Sequence, residues 1–206
     1  MTTIKSLSKF KSALIGGGAR PNLFEVKLPN LPTGIKSVQG DVTGSLYDSE
    51  NFSFLCKSAA LPASNTNPIE IPFRGRTLKV AGDRTFDVWT VTVINDTDFK
   101  HRRAFETWMQ NINQYSDHSG LTDPGSYMID ATVLQLGRGP VNKESGQGSG
   151  GNADVIAQYK FKDIFPTNIS AIDLSYDSSD TIEEFTVEFQ VQFWYPEKPG
   201  TTSAQG

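Results

Sequence analysis

The clearest periodicity in the chain runs through residues 185–193, where Phe185, Val187, Phe189, Val191 and Phe193 are apolar and Thr186, Glu188, Gln190 and Gln192 are polar. Successive side chains of a strand point to opposite faces, so this alternation predicts one long strand with a dry face and a wet one. Shorter runs rich in β-branched and aromatic residues predict further strands at 23–28, at 51–56 with Phe52 and Phe54 alternating, and at 89–94, 131–136, 154–161 and 169–176. One internal stretch has helical spacing. Across about 99–115, Ala104, Phe105, Trp108, Met109 and Ile112 share a stripe, with Arg102, Arg103, Glu106 and Gln110 opposite. Asp96 or Asp98 is its expected N-cap. Many strands with one amphipathic helix predict a mostly β fold, an antiparallel sandwich or barrel with the helix on one flank. Cys56, Trp89, Phe105, Trp108 and Phe189 are expected in its core.

At the front of the chain Ile4, Leu7, Phe10 and Leu14 recur at spacings of three and four between lysines, the pattern of a short amphipathic helix. A helix of this length is marginal alone in water and has to dock on something. Gly16, Gly17 and Gly18 behind it read as a hinge; without a preceding strand, a following helix and a Lys-Ser/Thr pair they do not make a phosphate loop. The expected organisation is an arm at 1–18, a β domain at 19–195 and a flexible tail at 196–206. Long loops are expected at 29–50, 116–126 and 137–152, the last Gly-rich. Loops of that length usually serve binding or assembly.

Composition narrows the function. A chain of 206 residues, 37% hydrophobic and 20% charged, is an ordinary globular domain. No apolar run approaches the roughly 20 residues that span a bilayer. Residues 13–15, the apolar stretch of the first twenty, are too few for a signal-peptide core. The net charge of −4 argues against an overall grip on nucleic acid. That charge is unevenly spread: +4 over residues 1–29, +3 over 74–103 and −7 over 163–206, which suits complementary faces on a self-associating subunit.

Chemistry is sought and not found. Cys56 is the single cysteine, which rules out a disulfide within the chain and a cysteine metal cage. His101 and His118 fall in no nucleophilic or metal-binding spacing, and both are expected at the surface. Residues 173–180 lack the Gly and terminal Glu of a calcium loop and read as a turn. The basic patch around Arg74, Arg76, Asp83 and Arg84 lacks the interleaved aromatics of a single-strand platform. It suits an inter-subunit hydrogen-bond network instead. No enzymatic role, cofactor or metal is expected.

Four blocks in order carry a resemblance: residues 19–26 (ARPNLFEV), 54–63 (FLCKSAALPA), 80–96 (VAGDRTFDVWTVTVIND), and 165–169 (FPTNI) with the closing Phe193, Trp194 and Tyr195. Together they resemble the tail tube proteins of contractile-tailed bacteriophages over most of residues 19–195. The resemblance implies a structural virion protein, made in the host cytoplasm, whose hexameric rings stack into a hollow tube with a β-lined channel. Its implied partners are further copies of itself, the tail sheath protein, the baseplate, and the neck or tail-terminator proteins. DNA would pass through without specific binding, and no cofactor is implied. Residues 29–50 and 137–152 look like insertions relative to more compact members.

On this reading Thr186, Glu188, Gln190 and Gln192 face the lumen, and Ile4, Leu7, Phe10, Leu14, Arg74, Arg76, Asp83 and Arg84 lie between subunits. Two alternatives stay open. One is the inner tube of a phage-derived contractile injection device, and the other is a ligand-binding β-sandwich such as a lectin-like module.

Overall fold

The computed structural model describes residues 7–13, 18–29, 31–32, 49–137 and 155–198. In chain order these form α1 (Leu7–Ala13), β1 (Phe24–Lys27), α2 (Ser49–Leu55), β2 (Cys56–Ala59), β3 (Ser64–Phe73), β4 (Arg76–Phe86) and β5 (Trp89–Ile94). They continue through α3 (Lys100–Ile112), α4 (Pro124–Tyr127), β6 (Ile129–Leu136), β7 (Val155–Ile169), β8 (Glu184–Gln190) and β9 (Phe193–Glu197). Positions 4 and 14 of the arm and most of the loops 29–50 and 137–152 lie outside the described residues.

The main sheet runs β1-β6-β7-β8-β5-β2, with β9 added beside β7, and every pairing is antiparallel. β7 belongs to two layers. Its first part pairs with β6 and β9, and its end, from Phe165, pairs with β8. The change of layer falls at a bulge where Lys162 and Asp163 oppose Asp130 of β6. Asp163 sits at φ 52, a conformation that Asp tolerates better than most residues. The Asp130 carboxylate accepts from both the Asp163 amide and the Lys162 ammonium, and so pins the bend. Among the described residues the ends of the path, β1 and β2, are not hydrogen-bonded to each other, which makes the fold an open sandwich.

The core lies between the layers. Val26, Val133 and Phe161 face inward from one, and Trp89, Val91, Val93, Phe185, Val187 and Phe189 from the other. Trp89 stacks on Phe161 across the gap, with centroids 4.6 Å apart and planes 14° off parallel. α3 lays Phe105 and Trp108 against Phe189, at 5.8 and 6.1 Å, and Trp108 Nε1 donates to the Tyr127 carbonyl at 2.8 Å. Each buried aromatic ring of this kind contributes about 1.5–3 kcal/mol through removal from water.

Several local expectations are corrected. Residues 49–55 form a helix rather than part of a strand, because Phe52 inserts between His101 and Phe105 of α3, at 5.9 and 5.7 Å, and leaves Phe54 in solvent. With α2 and α4, α3 is not the single internal helix. α3 begins behind Phe99, at φ 56 with no side-chain cap, although Asp96 Oδ1 still accepts from the Lys100 amide. The strand expected at 154–161 is present as the first half of β7 and runs on to Ile169, whereas the one expected at 169–176 is an irregular segment at 170–183. The long last strand breaks at residues 191–192, and Phe193, which the alternation places in the dry set, is 43% exposed in β9.

Candidate assembly surfaces

β3 and β4 form a two-stranded sheet of their own. At about 3.4 Å per residue, ten residues make a ribbon on the order of 30 Å long. Its tip is Arg74-Gly75, with φ of 45 and 80, the pattern of a type I′ turn, whose twist matches that of the flanking strands. Gly75 meets that demand without strain, whereas Arg74 takes it with its guanidinium 5.5 Å from the centroid of the Phe73 ring. Halfway down, Gly82 and Asp83 oppose Asn67 in a bulge; a Cβ on Gly82 would stand 2.5 Å from the Asn67 carbonyl oxygen. The base is tied by the Asp87 amide to the Ala63 carbonyl, by Asn65 Nδ2 to Asp87 Oδ1, and by Phe86 edge-on to Trp194.

The register makes the ribbon two-faced. Ile69, Ile71 and Phe73 share a face with Val80 and Leu78, and all five are exposed. The reverse face carries Glu70 paired with Lys79 at 3.3 Å, together with Pro68 and Pro72. Four residues apart in one strand, the two prolines fall on the same side of the backbone. Their missing N–H groups therefore face the open edge, which discourages further strand pairing there. An isolated two-stranded hairpin is marginal in water, and one with five bare apolar side chains on a face lacks the layer that would stabilise it.

A second surface is the outer face of β5 and β8. Thr90 lies opposite Glu188 and Thr92 opposite Thr186, with their hydroxyls 3.4 Å apart. Gln190 continues the face, and Asn168 of β7 lies beside Glu188. Gln192 is exposed just past the end of β8, its amide donating to the Lys162 carbonyl. At the margin Lys57 is held by Glu184. The face is rich in hydroxyls and amides, and along β8 it carries Glu188 together with the Lys57-paired Glu184.

The third surface is the segment at 170–183 between β7 and β8. It exposes Leu174, Tyr176 and Ile182 and carries Asp173, Asp177, Asp180 and Glu183 without a basic residue.

The sequence-predicted residues divide among these places. Arg74 is at the hairpin tip, Arg76, Asp83 and Arg84 are in β4, and Leu7 and Phe10 are exposed on α1. Cys56, Trp89, Phe105, Trp108 and Phe189 are buried. Burial pushes the Cys56 thiol up to about 12, leaving it unreactive. His101, expected at the surface, is instead buried against Phe52, while His118 stays exposed beside Asn113. Among the described residues no three of His, Cys, Asp and Glu cluster as metal ligands. Sequence reasoning passed over the apolar face of the hairpin and the exposed side chains at 174, 176 and 182. The signal for the hairpin was present in the alternation of 69–73 ending at Arg-Gly, but its prolines argue against a strand.

Comparison with known proteins narrows the setting. The chain is 32% identical over 179 residues to the tail tube protein gp19 of Enterobacteria phage T4, spanning 87% of this chain and 92% of that one. It is 31% identical to the T6 counterpart with the same coverage. Its fold is shared with the sheath/tube terminator of PVC, an extracellular contractile injection system, in the extended state (TM-score 0.54, 10% identity, 88% of this chain and 97% of that one). It is also shared with a chain of the PVC sheath–tube complex (TM-score 0.52, 12% identity, 94% and 98%). The sequence relatives are structural tube proteins rather than enzymes. With the phage tail tube protein family matched over residues 19–197, this chain belongs to that family.

Proposed function

We propose that the chain forms hexameric rings that stack into the hollow inner tube of a contractile phage tail, the conduit for genome delivery. The observation that carries this reading is the β3–β4 ribbon, whose bare apolar face has no second layer among the described residues. Other copies supply that layer. The exposed Leu7 and Phe10 of the N-terminal arm are a second such contact, so deletion of residues 1–15 should leave a folded domain that polymerises poorly. The sheath surrounds the tube, with the baseplate at one end and neck or terminator proteins at the other. The identity to phage tube proteins favours a phage tail over a phage-derived injection device, for which the likeness is one of fold.

The outer face of β5 and β8 lines the bore through Thr186, Glu188 and Gln190, with Gln192 beyond. Glu188 among hydroxyls and amides repels a phosphate backbone, and the one cation at the margin among those described, Lys57, is already held by Glu184. Negative-stain microscopy of the purified chain tests assembly, with rings or tubes expected. A monodisperse 22.6 kDa species at every concentration would overturn the proposal. For the bore, Gln190→Cys in a Cys56→Ala background should react in intact tubes with a small maleimide and not with one coupled to a bulky protein.

A further inference from the structure

The hairpin and the acidic segment 170–183 sit at opposite ends of the same strand pair. At one end of β5, Trp89 is paired with Phe189, and the chain enters from the hairpin base through the Asp87 amide bond to the Ala63 carbonyl. At the other end Ile94 is paired with Glu184, and Asn95 holds Glu183 through both its backbone amide and its side chain, at 2.9 and 3.0 Å. The six residues of β5 separate the two ends by roughly 20 Å.

The two ends are complementary. The hairpin face offers Ile69, Ile71, Phe73, Leu78 and Val80, with Arg76 on the same face beside Phe73 and Arg74 at the turn. The far segment offers Leu174, Tyr176 and Ile182 among Asp173, Asp177 and Asp180, and among the described residues none of these three carboxylates meets a cation. Two surfaces at opposite ends of a subunit, each apolar and of opposite charge, make a heterologous head-to-tail contact, the kind that propagates from copy to copy.

We infer that the hairpin of one copy seats its apolar face on segment 170–183 of a second copy, with Arg74 and Arg76 against Asp173, Asp177 and Asp180. The inference rests on the tube reading and names the surfaces that join its subunits. Ile71→Cys and Tyr176→Cys, combined in a Cys56→Ala background, should give a ladder of disulfide-linked oligomers from oxidised assemblies, with each single cysteine giving none. Independently, Arg74→Glu with Arg76→Glu should raise the concentration needed for assembly by roughly a hundredfold, the scale of like charges forced together. Asp173→Lys, Asp177→Lys and Asp180→Lys in the same chain should restore assembly. Tubes that form from the double-cysteine chain without a ladder, together with normal tubes from the triple-lysine chain alone, would overturn the pairing and leave the tube reading intact. A wild-type chain that never assembles would overturn the tube reading, and the pairing with it.

Discussion

In β8 the alternate side chains Phe185, Val187 and Phe189 are buried, whereas in β3 the side chains at the same spacing, Ile69, Ile71 and Phe73, stand in solvent. Both strands sort apolar from polar residues onto opposite faces. They differ in what lies above the apolar face. β8 is covered by α3 and, across the gap, by the opposite layer, whose Phe161 stacks on the neighbouring Trp89 of β5, while β3 has β4 beside it and, among the described residues, nothing over it. Alternation therefore specifies a face to be covered without specifying which molecule covers it. The sandwich covers its own apolar face; among the described residues nothing covers that of the hairpin.

That contrast is open to measurement. The largest expected effect is in the sandwich. Trp108→Ala removes a fully buried indole and its bond to the Tyr127 carbonyl, and should lower the unfolding free energy by about 3–5 kcal/mol in chemical denaturation of the dispersed chain. A loss below about 1 kcal/mol would place this face of α3 outside the core.

Next comes the pH dependence that the buried Cys56 confers. Burial raises its thiol from an ordinary 9.0 to about 12, so in that interval the folded chain keeps a proton that the unfolded chain has released. Stability from this group is complete below pH 9.0 and declines as the pH rises toward 12, at up to about 1.4 kcal/mol per pH unit. Cys56→Ala should show a shallower alkaline slope than wild type. Identical slopes would mean that the thiol is hydrated in the folded chain.

The smallest expected effect on stability lies in the hairpin, where Ile71→Gln with Leu78→Gln should change the unfolding free energy of the monomer by no more than about 0.5 kcal/mol, as exposed substitutions do. Sedimentation of the same variant should show assembly abolished. A large loss of monomer stability would show that the hairpin face is packed within one chain, and would erase the distinction from β8. Glu70→Ala on the reverse face, which breaks an exposed pair with Lys79, should leave both stability and assembly near wild type.

The helix stripe at 104–112 and the inward set at 185–191 were legible because each repeats one period over several turns or pairs, and a repeated period has a single geometric solution. Residues 51–56 were not. Phe52, Phe54 and Cys56 alternate as a strand would, yet Phe52, Leu55 and Cys56 also fit a helix, and no local preference separates the two. The pocket between His101 and Phe105 decides for the helix, because only there is the Phe52 ring dry. His101 likewise lies on a flank that the helix pattern assigns to solvent, and it is covered because α2 packs over it.

By itself, then, the sequence determined the class of the fold, which side of each regular strand and of α3 is apolar, and the absence of a recognisable catalytic motif, since these depend on period and residue type along a few consecutive positions. The tertiary structure decided where β7 bends between layers, which apolar faces are covered, and that Arg74 and Arg76 crown a bare apolar ribbon at the opposite end of a strand from an acidic one. Those outcomes depend on which distant segments come to lie against one another, and no local pattern carries that information.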